Sequence, residues 1–584
     1  MRRSQLITTY GVGAMIAIDN ESFIVGGLDS WDVTTAPEIF ERRLANLLGV
    51  TSFRLPPAPD PDRGLDGVRG IRFPDYYSCP ECEVLQSFHR FNSPAGTARC
   101  SDCQEDLVPS RFVLGCDNGH IEDFPYWKWI HRDNQHSGGL CDGTLSIHTS
   151  ADSASLRSVI ISCSCGVLPV SMEGAFRGKS LMELGILCGG HRPWLRYAPP
   201  QACAARPRTM QRGSSSTWHP IMRSALSIPP WGEGIHSLIE RHRLFGASEE
   251  NLRWFFSRRP GLLASLDAEL SDVVQVVQSL DVENHEAGES TDSGQISAGS
   301  LRQEEYRRLV QGHRATYGPE WQSFVCERPE GDSSRVQKMG IQTSMLVKRL
   351  REVRALAGFS RGAIPTEADS EERCAPLSLV PDIDWLPAME VSGEGVFLCL
   401  DEERLEAWET LPTVLARSEA IRTSHLDLLG ERAAGRHAPE SPVSPRLVLL
   451  HTLAHLLINE WSLDGGYPAS ALRERLYADT EMAGVLIYTA TSDSAGSLGG
   501  VVAQGEIARL ARSLRSALER ASWCSNDPLC MESEGSGSDN LNLAACHACV
   551  LLPETSCEVG NSFLDRALLI GDPLGVVPAY FSSY

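Results

Sequence analysis

Paired cysteines constrain this chain more than any other feature, because 18 cysteines occur among its 584 residues. Two C-x2-C pairs lie close together: Cys79 with Cys82, and Cys100 with Cys103. Each pair turns two thiolates toward one point, and two pairs complete a tetrahedral set of four sulfurs that suits zinc. All four ligands come from the protein, so the spacing predicts a structural zinc site. The alternative is a set of redox-active or unused cysteines.

Two further groups in the N-terminal half have wider spacing. One C-x-C pair and two single cysteines predict a second zinc site: Cys163, Cys165, Cys188 and Cys203. Four residues of mixed type are candidates for a third site: Cys116, His120, His131 and Cys141. For this third group, metal ligation and ordinary buried or surface positions without metal are equally good interpretations.

Five cysteines near the C-terminus compete for the four positions of another predicted zinc site. Cys546 and Cys549 supply the C-x2-C pair. We favour Cys530, Cys546, Cys549 and Cys557 as the ligands, with Cys524 as the reserve.

The composition and the apolar pattern predict a multi-domain α+β protein. Hydrophobic residues make up 42% of the chain and charged residues 22%, which excludes wholesale disorder. Changes in pattern predict four segments: a strand-rich part at 1–60, zinc-ribbon-like modules at 61–210, a mainly helical middle at 211–439 with a flexible linker near 283–300, and a C-terminal α/β zinc-binding domain at 440–584.

The cysteine usage and the apolar runs also predict the compartment. The longest apolar run, at 447–458, is too short to span a bilayer, and no signal-peptide pattern is complete. We therefore expect a cytoplasmic protein without a membrane segment. Thiols stay reduced in that compartment, which favours metal ligation over disulfides.

Two segments resemble parts of a nucleotide hydrolase but do not complete one. Residues 174–180 resemble a phosphate-binding loop, yet they hold one residue too few between the glycines. Asp401 and Glu402 follow an apolar strand like a magnesium-binding pair, and they read equally well as the start of a charged helix. We predict that the chain is not an enzyme. The alternative is a cryptic nucleotide hydrolase that uses Lys179 and Asp401.

One further pair of side chains has the spacing of a metal site. His451 and His455 lie one helical turn apart, but the glutamate of a metalloprotease motif is missing between them. We favour a core or interface helix over a metal site at this position.

A basic stretch stands out because the formal net charge of the chain is −22. Residues 184–232 contain no acidic residue and hold five candidate nucleic-acid contacts: Arg192, Arg196, Arg206, Arg208 and Arg212. Trp194, Tyr197, Trp218 and Trp231 lie among them. Arginines neutralise phosphates, and aromatic rings stack on exposed bases. The alternative is that these arginines brace zinc loops or face an acidic partner.

Several motifs at both ends of the chain resemble the DrmB family. They include RRSQLI at 2–7, GHIEDFP at 119–125, HTLAHLL at 451–457, WCSNDPLC at 523–530 and the cysteine-containing run at 544–557. The resemblance covers both ends and much of the cysteine-rich part, and it is less distinctive at 233–440.

This resemblance implies a function. The DrmB family is implied to be the non-helicase core subunit of DISARM, a bacterial system that restricts phage DNA and whose DrmA subunit carries the helicase ATPase. The C-terminal region is similar to the zinc-binding domain of MrfA-type helicases, and the family's metal ligands fall on Cys530, Cys546, Cys549 and Cys557. We therefore expect zinc as cofactor, the DrmA helicase and other DISARM subunits as partners, and DNA contact through the complex. The alternative is an assembly scaffold that does not touch DNA.

Overall fold

The computed structural model divides the chain into two compact units, each assembled from three separated stretches. Unit 1 consists of Met1–Glu38, Phe53–Arg223 and Ala355–Met389, and unit 2 of Ile39–Ser52, Ser224–Arg354 and Glu390–Tyr584. The structure describes residues 2–132, 141–149, 155–289, 297–362, 374–380, 383–433, 439–489, 499–537 and 539–581. The four consecutive segments predicted above therefore differ from the units, which interleave along the chain. The predicted α+β class is confirmed.

Unit 1 is built mainly from short antiparallel strands. One sheet has the strand order Met15–Ile18, Glu21–Val25, Gly70–Arg72, and a second has the order Ile121–Asp123, Phe112–Gly115, Arg208–Gln211. A six-stranded sheet has the order Val170–Ser171, Val159–Cys163, Leu145–Thr149, Val84–Ser87, Tyr76–Ser78, Val108–Pro109. The short helices of unit 1 are Gln5–Thr8, Tyr126–Ile130 and Gly178–Glu183. These strands carry or precede many of the cysteines, so their pairing determines which thiols meet.

Unit 2 combines longer helices with one large sheet. Its helices are Arg42–Leu48, Gly234–His242, Glu249–Ser257, Pro260–Ala264, Leu270–Glu289, Ala298–Gln311, Ser334–Lys338, Glu402–Glu409, Pro412–Ala433, Pro445–Gly465, Ile507–Ala521 and Ala567–Ile570. The eight-stranded sheet has the order His219–Leu226, Ile341–Ser360, Trp385–Leu400, Gly484–Thr489, Leu472–Tyr477; in addition, Val325–Glu327 pairs with the second of these strands, Ser52–Arg54 with the third, and Glu38–Ile39 with Ser52–Arg54. The unit boundaries after Arg223, Arg354 and Met389 fall within its first three strands. Among the described residues, no helix is both long and apolar enough to span a membrane.

The middle of the chain is less helical than the sequence indicates. Helices occupy 234–289, apart from short breaks, and 298–311, but the long strands Ile341–Ser360 and Trp385–Leu400 lie between them and the later helices. The strand Ile341–Ser360 carries Glu352 and Arg354, which are buried and paired 2.7 Å apart, so charged residues interrupt the apolar run that would indicate a buried strand. The predicted linker near 283–300 includes residues 290–296, which lie outside the described residues, whereas Leu270–Glu289 is helical.

The helix Pro445–Gly465 forms the centre of the unit 2 core. Ser444 caps it by accepting a hydrogen bond from the Leu447 amide at 3.2 Å, and a proline occupies its first turn. Residues 448–458 are all buried, and the helix packs against Ile507–Ala521 and Leu472–Tyr477. His451 and His455 therefore lie on a core helix, as the sequence predicts.

Candidate metal centres

Cluster A has the composition that the sequence predicts: Cys79, Cys82, Cys100 and Cys103. The two halves share one backbone geometry. The amide of Glu83 donates to the Cys79 carbonyl and that of Gln104 donates to the Cys100 carbonyl, both at 2.9 Å. Glu83 and Gln104 have positive φ angles of 60° and 62°. Each half is therefore a tight turn that presents two sulfurs on the same side.

The other cysteines of unit 1 assemble in a different arrangement from the one predicted. Cys163 and Cys165 do not meet Cys188 and Cys203. Cluster B contains Cys116, His120, Cys188 and Cys203, and cluster C contains His131, Cys141, Cys163 and Cys165. In cluster B the C-x3-H pair meets two cysteines from later loops, and in cluster C the C-x-C pair meets a histidine and a cysteine from earlier in the chain. The predicted third group therefore divides: Cys116 and His120 join cluster B, and His131 and Cys141 join cluster C. The residues of the predicted second and third groups together form two clusters of four ligands each.

Cluster B is arranged around the tight turn that follows the strand Phe112–Gly115. The Cys116 Sγ lies 3.6 Å from the Cys188 Sγ and 3.5 Å from His120 Nδ1. The opposite ring nitrogen of His120 lies 3.1 Å from Gln201 Oε1, which orients the ring. Hydrogen bonding with Cys116, opposed by burial and helped by His120, lowers the pKa of Cys188 to about 4, and the same hydrogen bond raises the pKa of Cys116. The arrangement favours a thiolate at Cys188, and a metal ion that binds both sulfurs would also favour the deprotonated form of Cys116.

Cluster C joins the short helix Tyr126–Ile130 to the strand Val159–Cys163. His131 Nδ1 donates to the Trp127 carbonyl at 2.8 Å, which leaves Nε2 facing the Cys141 Sγ at 3.3 Å and the Cys165 Sγ at 3.4 Å. The Cys141 and Cys163 sulfurs are 3.5 Å apart. Two hydrogen bonds lower the pKa of Cys165 to about 6: the larger effect comes from the backbone of Val167 and the smaller from His131.

Gly143 supplies a test of cluster C, because a side chain there would collide with a ligand. A Cβ atom at this position would lie 2.5 Å from the Cys163 Sγ and 3.0 Å from the Cys165 amide nitrogen. We expect Gly143→Ala to weaken zinc retention at this cluster about 10–100-fold, the range found when the support of a ligand is disturbed. The measurement is the zinc released from the purified chain as a chelator is titrated.

Gly178→Ala is the matched control, because a Cβ atom there has nothing within 4 Å. It should release zinc like the unsubstituted chain. Equal release from the two alanine variants would contradict the placement of cluster C.

Cluster D lies in unit 2 and uses the cysteine that was held in reserve. Its members are Cys524, Cys530, Cys546 and Cys549. The Cys524 Sγ lies 3.5 Å from that of Cys546, and the Cys530 Sγ lies 3.8 Å from that of Cys549. The favoured set with Cys557 does not assemble, since Cys557 contacts His451 instead, at 3.1 Å. Cys524, which precedes the C-x2-C pair in the sequence, thus takes the position that was predicted for Cys557.

The donor separations in clusters A to D fit a tetrahedral zinc ion. Zinc–sulfur bonds of about 2.3 Å place two sulfurs about 3.8 Å apart, and sulfur–nitrogen pairs come about 3.5 Å apart. The described sulfur pairs range from 3.5 Å to 4.0 Å, and the sulfur–nitrogen pairs from 3.3 Å to 3.6 Å. All four positions are filled by protein atoms, so each cluster suits a structural ion and leaves no position for substrate water.

The candidate nucleic-acid arginines divide into exposed and partly buried side chains. Arg196, Arg206 and Arg208 are exposed, and Arg208 lies 3.2 Å from Asp117. Arg192 is half-buried and donates to the Pro199 carbonyl at 3.1 Å. Arg212 is also half-buried, and burial lowers its pKa. The three exposed side chains are thus the ones available to a ligand.

The aromatic residues of the same stretch are less available than the sequence indicates. Trp194 and Trp218 are buried, and their indole nitrogens donate to the carbonyls of Pro376 and Val12. Tyr197 remains 85% exposed, with the Arg196 guanidinium 4.9 Å from the centre of its ring. Stacking of bases on Trp194 and Trp218 is therefore excluded. Trp231 is half-buried, and Tyr197 is the exposed aromatic side chain among the four.

The nucleotide-hydrolase features have structural explanations. Asp401 is the N-cap of the helix Glu402–Glu409, and its carboxylate accepts from the Arg404 amide at 3.0 Å. The loop-like segment leads into the short helix Gly178–Glu183, on which Lys179 is exposed.

Comparison with known proteins is consistent with these metal centres. Residues 2–219 match a domain of unknown function, DUF8724, and residues 453–550 match the MrfA Zn-binding domain. The chain is 30% identical over 573 residues to the DISARM protein DrmB of Bacillus paralicheniformis, and the alignment covers 94% of this chain and 97% of that protein. The chain belongs to the DrmB family. The resemblance found in the sequence is thereby confirmed over nearly the whole length.

The match to the MrfA domain supports zinc as the cofactor of this DrmB-family chain. All four residues of cluster D lie within 453–550, whereas Cys557 lies beyond it. Sequence reasoning missed three residues that the structure brings to Cys557 as possible ligands. These are His451, His455 and Glu474. The histidine spacing was visible in the sequence, but nothing there pointed to Glu474.

Proposed function

We propose that this chain is the non-catalytic subunit of a DISARM anti-phage system, that it binds the DrmA-type helicase, and that it helps the helicase engage DNA. The observation that carries the proposal is 30% identity to a DISARM protein DrmB along 94% of the chain. Other DISARM subunits are further partners, and the complex acts in the cytoplasm. In this assignment ATP hydrolysis belongs to the helicase.

The metal centres support a binding role. Each of clusters A to D ties together separate turns or loops, and none leaves a coordination position for a reactant. Surfaces held rigid in this way lose little conformational entropy when a partner docks. The zinc ions would thus prepare loop-rich surfaces for the helicase and for DNA.

The exposed arginines near cluster B are the proposed DNA contacts. Arg196, Arg206 and Arg208 are exposed, and Arg196 accompanies the exposed ring of Tyr197. Because the whole chain has a formal charge of −22, phosphate attraction must come from such a local group.

Replacing Arg196 and Arg206 with alanine tests the DNA contact. In the complex with the helicase, we expect weaker DNA binding and a shallower salt dependence of log K. The slope should fall by about 0.9 for each phosphate that the variant no longer neutralises. The measurement is DNA affinity by fluorescence anisotropy over a series of salt concentrations.

The control removes the same charge from Arg63 and Arg157, which are 72% and 80% exposed elsewhere in unit 1. Equal behaviour of the two double variants would favour the assembly scaffold that does not touch DNA.

ATP hydrolysis tests the division of labour. We expect no DNA-stimulated hydrolysis by this chain alone, stable co-elution with the helicase, and an altered helicase rate in the complex. Hydrolysis by the chain alone that is lost in Lys179→Ala would instead establish the cryptic nucleotide hydrolase. Failure of the two proteins to co-elute would refute the helicase partnership.

A further inference from the structure

A fifth group of metal-ligand side chains lies in the core of unit 2, apart from clusters A to D. Cluster E contains His451, His455, Glu474 and Cys557, and its four donor atoms lie within 4.8 Å of one another. Its members come from the helix Pro445–Gly465, the strand Leu472–Tyr477 and the loop that contains Cys557. We propose that cluster E binds one structural zinc ion that fastens this loop to the helix and the strand.

The donor geometry suits a four-coordinate ion. His451 Nε2 lies 3.1 Å from the Cys557 Sγ and 3.1 Å from Glu474 Oε1, and His455 Nε2 lies 3.6 Å from the same carboxylate oxygen. Zinc–nitrogen and zinc–oxygen bonds of about 2.0–2.2 Å place nitrogen–oxygen pairs about 3.3 Å apart, and a sulfur–nitrogen pair about 3.5 Å apart. The i, i+4 spacing on the helix brings both imidazoles to one face, where the strand and loop supply the remaining two donors.

The orientation of His455 suits a metal ion bound at its Nε2 atom. Its Nδ1 donates to the Val550 carbonyl at 3.0 Å, so the lone pair of the neutral ring is on Nε2 and faces the cluster. This Nε2 has no hydrogen-bond partner among the described residues, although the side chain is fully buried. A buried nitrogen lone pair without a donor is costly, and a metal ion removes that cost.

A divalent cation balances the charge that the four donors carry when they bind metal. With both imidazoles neutral, as ligation requires, the thiolate and the carboxylate give a total charge of −2 in a site where both histidines and Glu474 are 0% exposed. A dication neutralises this charge, which a water molecule cannot do. Nitrogen, sulfur and carboxylate donors together favour zinc over magnesium or calcium, which take oxygen ligands.

The loop that carries Cys557 already docks on the strand. The Glu474 amide donates to the Ser556 carbonyl at 3.2 Å, and the Glu558 amide donates to Glu474 Oε1 at 3.0 Å. A zinc ion would add bonds from the same loop to the helix. The site would thus close the C-terminal part of unit 2 at a position distinct from cluster D.

Anomalous diffraction from crystals of the unsubstituted full chain gives the direct test. We expect a peak between the four donor atoms, about 2.0–2.3 Å from each, that is present above the zinc absorption edge and absent below it. A peak that persists below the edge would refute zinc, and the absence of a peak would refute the metal site. The absence of a peak is the result expected if protonated histidines, and not a metal ion, hold the cluster together.

Metal counting on variants gives a second test that does not depend on crystals. His455→Asn and Glu474→Gln should each lower the zinc content by one equivalent. His425→Asn is the matched control, because His425 is also buried in unit 2 and lies outside the five clusters. Zinc contents equal to that of the control would overturn the proposal. If the cluster variants do not fold, the diffraction result decides.

Discussion

Replacing Cys549 with serine is expected to remove one zinc equivalent and to unfold the C-terminal part of unit 2. A structural zinc site contributes on the order of 10–16 kcal/mol of apparent binding free energy. The net stability of a whole domain is about 5–15 kcal/mol, so the loss of cluster D cannot be absorbed. Zinc content by mass spectrometry, together with limited proteolysis of residues 524–557, measures both effects.

Two comparisons make this result specific. Cys399→Ser is the control, because Cys399 is buried in unit 2 outside the clusters and contacts the Tyr306 hydroxyl at 3.1 Å, an interaction that serine can keep. We expect it to retain all zinc and to lose only about 1 kcal/mol of stability. Cys524→Ser should behave like Cys549→Ser. If Cys524→Ser kept its zinc, the ligand set of cluster D would be wrong.

Replacing Arg475 with methionine is expected to lower the free energy of unfolding of unit 2 by about 3–5 kcal/mol, because it leaves a buried carboxylate without its partner. Arg475 and Glu305 are both fully buried and form two hydrogen bonds, of 2.7 Å and 2.9 Å. Glu305 also accepts from the Tyr477 hydroxyl at 3.1 Å. Urea denaturation of the zinc-loaded protein measures the effect.

A double-mutant cycle separates the broken ion pair from weakened packing. Adding Glu305→Gln removes the stranded charge, so the double variant should recover part of the stability that Arg475→Met loses. Arg253→Met is the surface control, since Arg253 and Glu249 are 71% and 58% exposed, and it should change stability by less than about 1 kcal/mol. A double variant no more stable than Arg475→Met would refute the stranded-charge explanation.

The sequence predicted the metal residues better than it predicted their grouping. Cluster A was complete from spacing alone, because both of its pairs are local turns with only 17 residues between them. Clusters B and C were not, because the spacing of Cys163, Cys188 and Cys203 does not show which strands pair. Antiparallel pairing of Leu145–Thr149 with Val159–Cys163 brings the segment after Cys141 to Cys163, which excludes Cys188 from that site.

Cluster E illustrates the limit of periodic patterns. The apolar helix around His451 and His455 was predicted, but the same pattern describes any buried helix. The deciding partners, Glu474 and Cys557, lie on a strand and a loop far along the chain. Long-range contacts of this kind are set by the packing of the core, which single-sequence spacing does not encode.

The interleaved course of the chain has a consequence for biosynthesis. Clusters A to C are complete once residue 203 has been made, yet unit 1 also requires Ala355–Met389. At about 5–20 residues per second, a ribosome takes about 10–30 s to synthesise the stretch from residue 223 to residue 389. During that interval the nascent thiols can take up metal before their unit closes. Zinc supplied during translation should therefore give more folded chain than the same zinc added afterwards.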